Sequence, residues 1–143
     1  MKLFNTSLIA AVIFPVAVWA GEAPGSHFIE NWDLDGNGAV TLAELTERRS
    51  DIFASFDQND DGRLSAEEYV AFDEARASDV AENGDKKGKG EKRMQKGMQM
   101  DFNDVNGDGY VSRQEFLDRT AAWLKIIDRN GDGQVTAADF GKK

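Results

Sequence analysis

The chain has 143 residues, with 26 Asp and Glu against 17 Lys and Arg, a formal net charge of −9, one His and no Cys. This length allows one or two small domains, and the acidic field is a poor match for nucleic acid. Without Cys there are no disulfides, thiolate metal sites or thiol nucleophiles, and a lone His27 cannot build a zinc centre, so most enzyme classes lose their usual groups.

Residues 1–20 read as a secretory signal peptide. Lys2 opens it, an apolar run follows from Leu8 to Val18, and Val18-Trp19-Ala20 closes it. The run is short for a bilayer span, and Pro15 interrupts it. Cleavage is expected after Ala20, with Ala23 as the second choice; a retained membrane anchor is the alternative. No Cys follows the run, so lipid attachment there is excluded. The remaining chain, 21–143, carries 26 acidic and 16 basic residues, a formal charge of −10, and is expected to be periplasmic or secreted.

Residues 21–77 then place two acidic loops between apolar helical faces. Phe28, Ile29 and Trp32 precede the first loop, and Ile52, Phe53 and Phe56 precede the second in the same i, i+1, i+4 register. His27 is expected at the surface beside the first helix. Residues 78–100, SDVAENGDKKGKGEKRMQKGMQM, are rich in Gly and Lys and predict a flexible basic linker. Lys86, Lys87, Lys89, Lys92, Arg93 and Lys96 make it a candidate contact for an anionic surface or an acidic partner. A further expectation is that this run contacts the chain's own acidic loops and is released by a cation.

Residues 101–143 hold two more loops. Trp123, Leu124 and Ile127 restore the register before the fourth, but the third has Asn103 and Phe102 instead. Met94, Met98 and Phe102 form an i, i+4, i+8 stripe leading to it, with Gly97 costing ~1 kcal/mol in a helix interior. The third loop is therefore expected to have the least regular approach. Leu45, Tyr69, Phe116 and Phe140 each follow a loop directly and are expected in the core.

The loops are nearly one sentence written four times: DLDGNGAVTLAE from Asp33, DQNDDGRLSAEE from Asp57, DVNGDGYVSRQE from Asp104 and DRNGDGQVTAAD from Asp128. A hard divalent cation takes six to eight oxygens at ~2.3–2.6 Å, which a short curled loop can supply. Positions 1, 3 and 5 offer side-chain oxygens: Asp33, Asp35 and Asn37; Asp57, Asn59 and Asp61; Asp104, Asn106 and Asp108; Asp128, Asn130 and Asp132. Position 7 offers its backbone carbonyl, so Ala39, Arg63, Tyr110 and Gln134 can differ. Thr41, Ser65, Ser112 and Thr136 at position 9 suit a water-mediated ligand, and Glu44, Glu68, Glu115 and Asp139 close the cage at position 12. Gly38, Gly62, Gly109 and Gly133 mark the sharp turn, where positive φ is expected. Val40, Leu64, Val111 and Val135 at position 8 suit a short strand pairing with a neighbouring loop. Asp139 is one methylene short, which predicts weaker Ca2+ binding or a shift toward Mg2+ at the fourth loop.

These loops resemble those of the EF-hand family: three satisfy D-x-[DN]-x-[DN]-G-x5-E in full. The compact spacing is similar to that of small exported bacterial EF-hand proteins, and the Asp-ended fourth loop resembles dockerin modules. The resemblance implies an all-α fold of two helix–loop–helix pairs, 21–77 and 101–143, joined by the flexible basic linker 78–100, with Ca2+ as the bound ion. Loop starts stand 24 residues apart in each half, leaving only twelve between loops. Either a tight turn pairs the loops within each half, as position 8 favours, or one continuous helix of about 20 Å separates them. Residues 45–56 contain no Pro or Gly, which favours the helix, but pairing within each half is the preferred expectation. Residues 21–77 carry net −10 and 101–143 net −2, so the 33–68 pair is expected to fill first. Trp32 and Trp123 are expected to report one half each.

Function then divides into a calcium sensor or buffer and a calcium-stabilised interaction module whose helix faces dock a protein partner. No nucleophile–base pair is present, so no catalytic residue is assigned and an enzyme is not expected. Met94, Met98 and Met100 are expected to fill the core, with an adaptable binding surface as the sharper alternative.

Overall fold

A single helix runs from the first loop to the second. The twelve residues between the loops hold no helix breaker, and Thr41 with Glu44 starts them helically. Glu44 N–H donates to the Thr41 side chain, and the Glu44 carboxylate accepts from Thr41 N–H, a reciprocal cap for two first-turn donors. The result is a helix over Leu42–Phe56, 15 residues and about 22 Å long.

The computed structural model describes residues 23–83 and 89–141. The leader expected over 1–20 lies outside them, as do Lys86 and Lys87. In chain order the elements are α1 (Ser26–Trp32), α2 (Leu42–Phe56), β1 (Arg63–Leu64), α3 (Ala66–Asn83), α4 (Lys89–Lys96), α5 (Met100–Asn103), β2 (Val111–Ser112), α6 (Arg113–Asp118) and α7 (Thr120–Ile127), then a 3-10 turn over Ala137–Asp139. Helices α6 and α7 are nearly one rod. Arg119 between them stays right-handed, and its neighbours continue the ladder through Arg119 N–H to Glu115 O and Trp123 N–H to Arg119 O.

The all-helical expectation holds, but the loops pair across the chain and not within each half. β1 and β2 pair antiparallel, with Leu64 opposite Val111, joining the second loop to the third. Val40 and Val135 exchange N–H···O bonds of 2.8 and 2.9 Å, joining the first loop to the fourth. The physical reason is α2 itself: a continuous helix holds its two loops at opposite ends, so each must find its partner in the other half. α2 packs across both α6 and α7, and the two halves share one core. Val40, Leu64, Val111 and Val135 are fully buried within it, as are Leu45, Phe116 and Trp123, all at 0% exposure.

Where the structure describes it, the segment expected as a flexible linker is largely helical and packed. α3 continues to Asn83, and α4 packs along α7. Two glycines permit that approach: a Cβ on Gly97 would overlap the indole of Trp123, and one on Gly90 would meet the Phe140 ring. Met98 and Phe102 enter the core with Met94 and Met100 packed against it, so the methionines fill volume as expected. The helix breaks between them at 97–99, confirming the irregular approach to the third loop.

That irregularity has a cause. Asn103 is fully buried, and its Nδ2 donates to the Tyr69 hydroxyl and to the carbonyls of Gly97 and Gln99. Its Oδ1 accepts from Arg49 Nη2 at 2.7 Å. Arg49 is also buried, with no carboxylate partner among the described residues; it donates to Gly97 O and twice to Phe116 O and lies over the Phe116 ring at 3.9 Å. Burial pulls its pKa down to about 10, which leaves it charged at neutral pH. Tyr69 donates to Met98 O and is pushed up to about 12 by burial. Arg49 falls between Leu45 and Phe53 at i, i+4, i+8, so it stands in an apolar stripe and stitches α2 to both segments flanking the third loop.

Candidate metal centres

The four loops build one constellation by one mechanism. In each, the position-1 carboxylate is held by backbone N–H groups further along the loop. Asp33 accepts from Gly36, Asn37 and Gly38; Asp57 from Asp61 and Gly62; Asp104 from Gly107, Asp108 and Gly109; Asp128 from Gly131 and Gly133. Each side chain at positions 3 and 5 accepts from the backbone two residues on. Asp35, Asn59, Asn106 and Asn130 take the N–H of position 5, while Asn37, Asp61, Asp108 and Asp132 take that of Ala39, Arg63, Tyr110 and Gln134. These Asx turns aim polar side chains into the loop's concavity.

The position-12 carboxylate spans the loop. Glu44 Oε1 accepts from Leu34 and Asp35, and its Oε2 from the N–H and hydroxyl of Thr41. Glu68 does the same with Gln58 and Ser65, and Glu115 with Asn106 and Ser112. The residue that would close a cation cage therefore also caps the exiting helix. Asp139 makes equivalent contacts to Arg129, Asn130 and Thr136 N–H at 2.8, 3.2 and 2.8 Å. The tight 3-10 exit brings its shorter side chain close enough and leaves it fully buried.

These contacts favour the ionised carboxylates. The Gly38 N–H leads in holding Asp33 below the usual range, against burial and with Gly36 and Asn37. Burial pushes Glu44 up, but the Thr41 N–H and hydroxyl and the Leu34 and Asp35 N–H groups push it further down. Glu68 and Glu115 are lowered first by the N–H of Ser65 and of Ser112.

Gly38, Gly62, Gly109 and Gly133 all have positive φ, as expected. Position 4 carries a second requirement, also at positive φ, in Gly36, Gly107 and Gly131; the second loop places Asp60 there at φ 55. Its N–H bonds the Asp57 backbone carbonyl at 3.4 Å, whereas Gly36, Gly107 and Gly131 donate to the position-1 carboxylate.

Among the described residues, Asp33, Asp35 and Glu44, and Asp57, Asp61 and Glu68, each bring one carboxylate oxygen within 4.8 Å of the others. Such an all-oxygen set, pre-aimed by backbone donors, fits a hard divalent cation. In the third and fourth loops Asp104, Asp108 and Glu115, and Asp128, Asp132 and Asp139, occupy the equivalent positions. Arg63 at position 7 bonds Asp61 at 3.3 Å and lies over the Tyr110 ring at 4.2 Å, so the second and third loops also touch through side chains. Trp32 and Trp123 do not report separate halves: their rings meet edge-on at 5.0 Å. His27 is half-buried and joins α1 to α3 through Asp79 at 3.1 Å.

The family model described as EF hand matches residues 50–73, 100–118 and 120–142, which contain the second, third and fourth loops. Calcium-binding protein LPS1-beta of Lytechinus pictus is 26% identical, over 85% of this chain and 68% of its own length. Calcium-binding protein LPS1-alpha of the same organism is 24% identical, over 85% of this chain and 54% of its own. Polcalcin Cup a 4 of Hesperocyparis arizonica is 28% identical, over 73% of this chain and 62% of its own. The match thus spans from about half to about two thirds of these relatives' lengths. The chain belongs to the EF-hand calcium-binding family.

Proposed function

We propose that the chain is an exported calcium sensor whose helices transmit loop occupancy to a shared apolar groove. In each loop the side chains at positions 1, 3, 5 and 12 and the carbonyl at position 7 would hold the ion, with position 9 acting through water. Export rests on the composition of residues 1–20; among the described residues no helix is long and apolar enough to cross a membrane. A binding role, in place of catalysis, accords with carboxylates committed to the loops and to their helix caps.

One observation carries the sensor reading. α2, and α6 with α7, each connect a loop at one end of the molecule to a loop at the other, and they cross in one core. A shift at either end therefore moves helices that line a groove of about 340 Å³, walled by Trp32, Ile52, Phe56, Phe72, Met94 and Met98. A buffer fills its loops with little rearrangement, whereas a sensor uncovers apolar surface. The test is calcium calorimetry with apolar-dye binding on the same sample. Four binding steps with rising dye fluorescence support the sensor. Four steps with flat fluorescence make the protein a buffer, and no binding heat overturns the calcium reading.

A further inference from the structure

Helix α4 carries a cation onto the fourth loop. Arg93 is half-buried, and its Nη2 donates to the backbone carbonyl of Asp139 at 3.0 Å. Its Nε is shielded from solvent and has no hydrogen-bond partner among the described residues. Among the described residues, no carboxylate forms an ion pair with it. Arg129, at position 2 of the same loop, reaches across to the exit and donates from Nη1 to Gly141 O at 2.8 Å. Among the described hydrogen bonds no cationic side chain reaches the position-12 carbonyl of another loop: Arg48 and Arg119 donate to Asn31 O and Phe102 O, before the first and third loops, and Arg63 within the second is 51% exposed and well screened.

The same helix forms one wall of the groove. Trp123 Nε1 donates to Arg93 O at 3.3 Å, Arg76 holds Gln95 at 2.6 Å, and Met94 and Met98 fill the apolar wall. Gly90 and Gly97 let the helix lie against Phe140 and Trp123. Arg93 therefore sits at the junction of two structures: the last ligand position of the fourth loop and the helix that walls the groove.

We propose that Arg93 is an affinity-setting residue, whose seat on Asp139 and a divalent cation in the fourth loop oppose each other. The inference rests on the calcium reading above. A cation held by Asp128, Asp132 and Asp139 would add two positive charges beside a guanidinium already short of compensation, in a site where burial limits screening. Linkage makes the opposition reciprocal: if calcium unseats Arg93, a seated Arg93 weakens calcium by the same factor. The fourth loop is then the weak site because of α4 as well as its Asp ligand, and filling it loosens α4 from its seat on the fourth loop.

The experiment uses the full chain and its Arg93→Gln, Arg93→Lys and Asp128→Asn variants. Calcium calorimetry assigns the fourth-loop step as the one lost in Asp128→Asn, and lysine-specific proteolysis at Lys92 and Lys96 reports the seating of α4. Arg93→Gln is expected to tighten that step roughly tenfold, a coupling of ~1.4 kcal/mol, with the gain shrinking in high salt. Arg93→Lys, which keeps the charge, is expected to stay near the unmodified affinity. Calcium should speed cleavage in the unmodified chain, while Arg93→Gln should be cut fast from the start. An unchanged or weakened step in Arg93→Gln, or the same tightening in Arg93→Lys, overturns the inference and leaves calcium binding intact. Loss of no step in Asp128→Asn overturns it too, with the other steps still testing the calcium reading. If circular dichroism shows that Arg93→Gln has lost helix, Arg93→Met keeps the apolar stem and carries the same expectation.

Discussion

The two ends of the molecule hold equivalent loop pairs by different chemistry. At the end shared by the second and third loops, a two-residue ladder is backed by Arg49, Asn103 and Tyr69, a buried polar network of directional bonds. At the end shared by the first and fourth loops there is one bridge, Val40 to Val135, and an aromatic cluster. Phe28 stacks on Trp32 at 5.4 Å, Trp32 meets Trp123 at 5.0 Å, and Phe140 closes the group at 5.8 Å from Phe28. Gly25, at φ 85, leaves no room for a Cβ beside the Phe140 ring and so binds the start of α1 to the chain's last turn. A polar network fixes geometry and tolerates little loss, because each removed partner strands another. An aromatic cluster contributes mostly through area and can slide. The first-and-fourth end thus depends less on directional bonds, and it is also the end against which α4 packs.

The sharpest way to break this comparison is to remove Arg49. Arg49→Met keeps the apolar stem but strands Phe116 O and Asn103 Oδ1 inside the core and leaves Gly97 O with Asn103 Nδ2 alone. The expected loss is about 3–4 kcal/mol, since each stranded buried acceptor costs ~1–3 kcal/mol and partial repacking recovers some of it. Urea unfolding measures it. Arg49→Lys should fail to restore stability, because one ammonium cannot reach acceptors on both sides of the guanidinium fork. A loss below about 1 kcal/mol would mean that the network is not what holds the second-and-third end.

Disabling one loop tests which loops are coupled. Asp57→Asn weakens the second loop, and its effect should pass through the Leu64–Val111 pair to the third loop, not along α2 to the first. The expected loss at the third loop is about tenfold, within the usual ~5- to 150-fold range of site coupling, with the first loop changed far less. Calcium titration followed by amide NMR of Gly38 and Gly109 separates the two. The −10 charge of residues 21–77 is shared between the ends, because each end takes one loop from that half. Filling should therefore proceed by end and not by half.

The loops and the helical register were legible in the sequence because both depend on local spacing. Asp at position 1 and Gly at position 6 need only their own loop's backbone to take their conformation. Partner choice was not local. The apolar position 8 announced a strand without naming its mate, and the signal that named it was the uninterrupted 45–56, which a tight turn could not accommodate. The ordered α4 was hidden for a related reason. Its Gly and Lys content argues for a tether, but Gly90 and Gly97 serve as close-approach points against Phe140 and Trp123, residues some 50 and 26 positions away. Asn103 was visible as a break in register; only the buried Arg49 explains it.

Asp139 sharpens the contrast at the fourth loop. Lengthening it looks like a repair, because the other loops end in Glu. Its carboxylate already reaches Arg129, Asn130 and Thr136 through the 3-10 exit, and the side chain is fully buried. An added methylene has no space unless the exit rewinds. Asp139→Glu is expected to cost about 1–2 kcal/mol of calcium-free stability, as overpacking does, read as a lower melting temperature in chelator. A rise in that temperature would show that the exit is slack.

The smallest expected effect lies in the second loop and acts on backbone alone. Asp60 holds φ 55 where the other three loops place Gly. A left-handed conformation costs a side chain with a Cβ about 1 kcal/mol, and Asp tolerates it better than most. Asp60→Gly should therefore stabilise the calcium-free chain by roughly 0.5 kcal/mol, the relief of strain exceeding the flexibility that Gly adds to the unfolded chain. It also frees the position-4 N–H to reach Asp57 as Gly36, Gly107 and Gly131 reach their own position-1 carboxylates. If stability falls instead, the Asp60 conformation is held by the second loop's own backbone bond to Asp57 O, and the two ends differ in loop strain as well as in the core that supports them.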